Sequence, residues 1–200
     1  RLAYSTVSQL AYIVLGAALA NGLGIMGGSM HIAMHAFGKI TLFFCAGAIM
    51  VASHKTEISE MDGLGKVMPI TFIAFLIGSL SVIGLPPLGG SWSKWYLMLS
   101  SVEAGYTLFL VVFMVSSLLN IAYLMPVVAR GFFSSPIPSK HSDNDHSENV
   151  GFWHSLQIGT IKEAPPFCLL AMTLSSLGCI VLFIYADSIY QLLAPITGLK

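Results

Sequence analysis

The chain has 200 residues, of which 56% are hydrophobic and only 9% charged, against about 25% charged in an ordinary soluble domain. That composition predicts an integral membrane protein. The formal net charge is zero, so there is no basic footprint for nucleic acid, and no segment has the spacing of a groove reader.

The opening RLAYSTVSQLAY has neither an initiator Met nor the charged and short apolar regions of a signal peptide. We expect a piece of a longer chain. A first span is predicted over Val7–Leu23, ending at Asn21-Gly22, with Gly27-Gly28 beyond it as a turn signal. Ser5, Ser8 and Gln9 lie at its mouth, where they could line water or simply be solvated at the interface.

The second run, Met30 to Ser53, carries His31, His35 and Lys39 at intervals of four. Four residues advance an α-helix by about 400° and roughly 6 Å, so the three side chains share one face. The run is long enough to cross a core of ~30 Å. A Lys or His placed there is costly, about 2.5–3.5 kcal/mol for Lys on insertion scales, which marks it as a functional candidate. For His31, near the start of the run, contact with headgroups is the simpler alternative.

A polar connector, 54–66, follows with Lys55, Glu57, Glu60, Asp62 and Lys66; solvation accounts for its charges. Apolar sequence then runs from Pro69, a residue accepted in a first helical turn, to Ile83. Between Gly84 and Gly90 the text GLPPLGG cannot continue a helix, because Pro86 and Pro87 lack donors and Gly84, Gly89 and Gly90 are permissive. Apolar sequence resumes at Ser91 with Trp92, Lys94, Trp95 and Tyr96. Such breaks in lipid are tolerated where protein or a watery cavity satisfies the freed backbone.

Reading 68–101 as one broken span puts Arg1, Lys55, Lys66, Arg130, Lys140 and Lys162 on one side and only Lys200 on the other. The positive-inside rule favours this over two full spans. The connectors 54–66 and 130–164 are then cytoplasmic and Lys94 lies near the break, inside the bilayer; an aromatic-belt position beside the tryptophans is its alternative.

A span over Tyr106–Val128 contains Asn120, Tyr123 and Pro126, with Arg130 at its end. Glu103 before it reads as a solvated turn, or as part of an exit path. Residues 134–163 are rich in Ser, Asp and His and too polar for a core of their own; an interfacial helix is expected around Phe152 to Ile161. His141, His146 and His154 have no metal-site spacing. Pro165-Pro166 opens a last span to about Leu193, with Asp187 near its end as an interfacial residue.

The expected fold class is therefore all-α: a polytopic bundle of about five spans, one of them discontinuous. The organisation is a transmembrane core over 1–132, a polar cytoplasmic loop over 133–164 and a C-terminal helix over 165–200. No cofactor or metal is implied. Cys45, Cys168 and Cys179 lie unpaired in apolar runs, and Ile32 stands where an HExxH zinc enzyme has its Glu. What the residues permit is proton exchange: Lys39 and Lys94 on different helices, with His35 and His31 between turns, and a movable break beside them.

Taken in order, RLAYSTVSQLAY, HAFGKITLFFCAGAI, EMDGLGKVMP and GLPPLGGSWSKWYL resemble the antiporter-like membrane subunits shared by Mrp-type multisubunit cation/proton antiporters and respiratory complex I, most of all the D-type chain of Mrp antiporters. The resemblance covers about residues 1–130. It implies the C-terminal part of a larger inverted-repeat transporter fold with a central hydrophilic axis. By it, His31, His35 and Lys39 match the family's His/Lys helix, and Lys94 its broken-helix Lys or Glu. Gly38 departs from the bulkier residue often found there, which is expected to loosen packing beside Lys39. The implied partners are other membrane subunits of a multisubunit complex, the lipid bilayer, protons and sodium, in a bacterial inner membrane. The first repeat is missing, so this chain alone is not expected to complete a path. A proton-pumping subunit of complex I or a related hydrogenase is the alternative function, and a structural scaffold a third.

Overall fold

The computed structural model describes residues 1–54, 57–134, 157–158 and 161–199. Helix α1 (Leu2–Ala18) is followed by α2 (Gly22–Ser53), a short 3-10 turn at Ile58–Glu60, α3 (Leu64–Val67), α4 (Pro69–Ile83), α5 (Gly90–Glu103) and α6 (Thr107–Phe133). Two-residue strands β1 (Gln157–Ile158) and β2 (Ile161–Lys162) pair antiparallel before α7 (Pro166–Ile184) and α8 (Ala186–Thr197). Among the described residues α2, α6 and α7 are each long and apolar enough to cross a bilayer, and α1 and α4 are shorter apolar helices.

The central helix starts earlier than the apolar pattern predicts. Asn21, in extended backbone, accepts from the Gly24 amide at 2.8 Å and caps α2. Ala20 takes the left-handed conformation, φ 53°, in the connection. Gly27 and Gly28 are therefore not a turn but lie within α2. Gly27 is there for close approach: a Cβ on it would lie 2.9 Å from the Leu97 amide nitrogen.

Partners read along α2 decide the topology of the broken segment. Passing down α2, Gly24 meets Ser100, Gly27 meets Leu97, His31 meets Ser93, Met34 meets Gly89, Gly38 meets Val82 and Leu42 meets Gly78. The partner numbers fall steadily as the α2 numbers rise. Helices α4 and α5 thus lie end to end as one interrupted span antiparallel to α2, as the charge distribution predicts. Neither could cross alone, since their 15 and 14 residues at ~1.5 Å each fall short of ~30 Å. The interruption is Gly84–Gly89: Gly84 closes α4 with φ 90°, and the Pro86-Pro87 bond is cis.

The two connectors meet at one end. The Gly63 amide donates to the Arg130 carbonyl at 3.1 Å, and Gly65 packs on the Gly131 backbone. Here lies the main apolar core, in which Leu42, Ile49, Met68, Phe72, Leu124 and Met172 interdigitate. Ser100, at the other end of the bundle, donates to Asn21 Oδ1 at 2.6 Å.

Four further expectations are corrected. The first helix is Leu2–Ala18 rather than Val7–Leu23, because polar Ser5 is buried within the bundle instead of sitting in an interface. The last span divides at Tyr185, and α8 is a separate helix whose face packs on Met26 and Met30 of α2. The short β1–β2 pair occupies part of the stretch expected to be an interfacial helix; His141, His146, His154 and most of the 134–163 loop lie outside the described residues. Gly38 also does not loosen packing: a Cβ there would sit 3.1 Å from Val82 Cγ2, and α4 rests directly on it.

A Cβ at Gly90 would fall 1.9 Å from the Ser81 carbonyl, whereas one at Gly47 would meet nothing within 4 Å. Overpacking of this kind costs about 1–3 kcal/mol or more. Gly90→Ala should lower the thermal midpoint of the purified full-length protein by several degrees, and Gly47→Ala should leave it unchanged.

Candidate functional site

One face of α1 organises the polar interior. Ser5, Gln9, Tyr12 and Gly16, spaced four, three and four apart, are its buried residues, a helical stripe in which three of the four side chains are polar. Against it lie the polar residues of α2, α5 and α6.

His31 is 2% exposed and bridges two helices. Its Nδ1 lies 2.8 Å from Ser93 Oγ on α5, and its Nε2 lies 3.1 Å from Gln9 Oε1 on α1. In the neutral ring the Nε2 proton goes to Gln9 and Nδ1 accepts from the Ser93 hydroxyl. His31 therefore sits inside the bundle, not among headgroups; the extra turns of α2 before Met30 carry it there. His35 follows one turn on, its ring stacked on His31 with centroids 5.8 Å apart, and its Nδ1 has no partner among the described residues.

Lys39 is 5% exposed and donates to the Leu2 carbonyl at 3.1 Å, at the start of α1. Leu2 and Tyr123 line a cavity of about 860 Å³ at the connector end, which is also lined by Arg1, Glu57 and Arg130. The seam near Lys39 thus borders an opening with charged walls. Tyr123 donates to Asn120 Oδ1 at 2.6 Å and is hydrogen bonded to Ser5.

Lys94 is 4% exposed and lies at the helix break. Its Nζ donates to the carbonyls of Val82 at 2.9 Å and Ile83 at 2.8 Å, and reaches Ser117 Oγ at 3.3 Å. The last carbonyls of a helix have no intrahelical partner and carry the negative end of its dipole. The interruption at Gly84 exposes those carbonyls, and the ammonium occupies them. Gly84 makes room, since a Cβ on it would lie 2.7 Å from Lys94 Cδ. A second cavity, about 430 Å³, borders Lys94 and is lined by Gly84, Pro86, Trp95, Met114 and Ser117.

Tyr12 joins the two halves. Lys94 Nζ stands 5.1 Å from the centroid of its ring, the ring meets His31 edge-on at 5.6 Å, and its hydroxyl donates to Ser116. The geometry gathers His31, His35 and Lys94, with Lys39 one turn further along α2. Of the break residues, Gly84 and Pro86 lie beside Lys94, Gly90 packs against Ser81 and Gly84, and Gly89 against Met34, while Pro87 follows Pro86 through the cis bond. Asp187 and Glu103 stand apart from this seam: Asp187 is exposed on α8, accepting from Gln191 at 2.7 Å, and Glu103 is exposed at the end of α5.

The family model for NADH:quinone oxidoreductase/Mrp antiporter transmembrane proteins matches residues 1–120. The chain belongs to this family. NADH-quinone oxidoreductase subunit N of Desulforudis audaxviator is 35% identical over 189 residues, 94% of this chain and 36% of the relative. The fold matches a chain of the Mrp complex from Dietzia sp. with a TM-score of 0.80 at 24% identity, covering 98% of this chain and 42% of that one. It matches a chain of respiratory complex I from Thermus thermophilus at 0.76 and 20% identity, covering 98% and 37%. The chain therefore spans little more than a third of the relative's length, and it is an integral membrane protein with the all-helical fold shared by both kinds of complex.

Gln9 and Tyr12 lie within RLAYSTVSQLAY and Ser93 within GLPPLGGSWSKWYL, stretches that carry the resemblance without marking these side chains as site residues. Gln9 is visible in the sequence as a polar residue in an apolar run, but Tyr12 and Ser93 become site residues only through packing. Ser93→Ala leaves the buried His31 Nδ1 without its partner and should cost about 1–3 kcal/mol, read as a lower thermal midpoint of the full-length protein.

Proposed function

We propose that this chain forms the second half of a proton path in a membrane subunit of a cation/proton antiporter complex, with sodium as the exchanged cation. Lys94 and Lys39 carry the protons, and His35 and His31 bridge them. The observation that supports this most is the Lys94 amine, buried on the carbonyls of the helix break, between an open cavity and the ring of Tyr12.

The chemistry follows from the donors and acceptors. An amine surrounded by carbonyl and hydroxyl oxygens can hold a proton, and can yield it when a second positive charge approaches through a low-dielectric interior. Gln9 Nε2, His35 Nδ1, Asn120 Nδ2, Ser79 Oγ and Ser81 Oγ are buried without protein partners among the described residues. Buried polar atoms of this kind are normally satisfied by internal water, so the seam is suited to a water-filled proton route. The route enters at the cavity bordered by Arg1, Glu57 and Arg130, passes Lys39, His35 and His31, and reaches Lys94. Movement at Gly84–Gly90 changes which side Lys94 meets.

The chain works with other membrane subunits in a bacterial inner membrane, its connectors 54–66 and 130–164 on the cytoplasmic side. The units of the chain are the core over 1–132, the loop over 133–164 and the terminal helices over 165–200. A second reading is a proton-pumping subunit of an NADH-quinone oxidoreductase or related hydrogenase. The similarity to subunit N favours it; copurification of iron–sulfur subunits, or a run of redox genes beside this one, would select it.

In the full-length protein with its partner subunits, Lys39→Ala should abolish proton-coupled transport in vesicles while assembly stays intact, and Lys94→Ala should abolish it while also lowering the thermal midpoint, because the Val82 and Ile83 carbonyls lose their partner. Undiminished transport in either variant overturns the proposal.

A further inference from the structure

Helix α4 is held at both ends by charged side chains that are distant from it in sequence. At its C-terminus stands Lys94, already described. At its N-terminus Met68 offers no side-chain cap and Pro69 has no N–H, so the first turn must find an acceptor elsewhere. Glu163, which precedes α7, supplies it: the Ile70 amide donates to Oε1 at 2.8 Å and the Thr71 hydroxyl to Oε2 at 2.8 Å. The carboxylate is 2% exposed, although its sequence context is a polar connector. A helix of 15 residues, ~22 Å long, thus has an anion at its positive end and a cation at its negative end.

The sides of α4 are packed into the core: Phe72 lies against Gly131 of α6, and on α2 Gly38 receives Val82 while Leu42 fits against Gly78. Its contact with α2 runs through Gly78 against the Gly38 carbonyl, and a Cβ on Gly78 would lie 3.2 Å from that oxygen. Glycines at these positions let the two helices approach closely. The buried Ser79 hydroxyl has no hydrogen-bond partner among the described residues. A helix packed this closely transmits strain from one end to the other rather than yielding in between.

We propose that Glu163 is a positioning residue for Lys94. By gripping the first turn of α4, it sets the axial position of the Val82 and Ile83 carbonyls and hence the seat of the ammonium. The loop that carries Glu163 is thereby coupled to the helix break at the far end of α4. This inference rests on the transport reading for its consequence in activity, but its structural part can be measured without transport.

The test uses the full-length protein with its partner subunits. Glu163→Gln keeps an acceptor for the Ile70 amide and removes the anion. Amide hydrogen exchange should quicken both in the first turn of α4 and at Gly84 and Leu85, and transport turnover should fall at least about threefold. Exchange that changes only at the first turn, with turnover unaltered, shows a purely local cap and overturns the proposal, as does no change at either end. Should Glu163→Gln not assemble, Thr71→Val, which removes only the bond to Oε2, is read in the same way. Its silence at Gly84 and Leu85 would equally overturn it. If Lys94→Ala proves fully active, the transport reading fails while coupled exchange between the two ends still stands.

Discussion

The pairing of the Lys94 ammonium with the terminal carbonyls of α4 is the constraint on which the interior depends. An interrupted helix in lipid leaves unpaired carbonyls, and an intramembrane lysine leaves an unpaired charge; either alone costs several kcal/mol on order-of-magnitude grounds. Together each satisfies the other at 2.8–2.9 Å. The glycines follow from that pairing. Gly84 must lack a side chain for Lys94 Cδ to pass, and Gly90 for α5 to begin against Ser81.

Helix α2 is the surface on which the broken span is laid out. Its 32 residues run past α5, the break and α4 in turn, so His31 meets Ser93 above the break while Gly38 meets Val82 below it. A regular 3.6-residue period on α2 thereby places the histidines beside the discontinuity and Lys39 beyond it. Helix α1 closes the seam from the other side: one stripe brings Gln9 to His31, Tyr12 to Lys94 and the Leu2 carbonyl to Lys39.

Among the described residues the partners of the two lysines are neutral oxygens rather than carboxylates. Carbonyl and hydroxyl oxygens satisfy the lysine N–H groups without bringing a second charge into the interior. The buried carboxylate of Glu163 is instead spent on backbone and a hydroxyl at the opposite end of α4. Acid and base are thus separated by the length of one helix, and the helix dipole favours both positions.

Composition alone determined that the chain is a membrane bundle, because too few charges remain to cover a soluble surface. The period of His31, His35 and Lys39 determined that they share a face, and GLPPLGG determined where a helix must stop, since proline and glycine act locally on the backbone. The asymmetry of the lysines and arginines even determined that the interrupted segment is a single crossing. Tertiary structure decided the rest. Whether Gln9 is solvated or paired with a histidine, whether Glu163 belongs to a loop or to the end of α4, and whether Tyr12 is lipid-facing or lies beneath an ammonium depend on contacts between residues tens of positions apart. No local pattern encodes those contacts, because a polar side chain reads the same in sequence whether water or another helix supplies its partner.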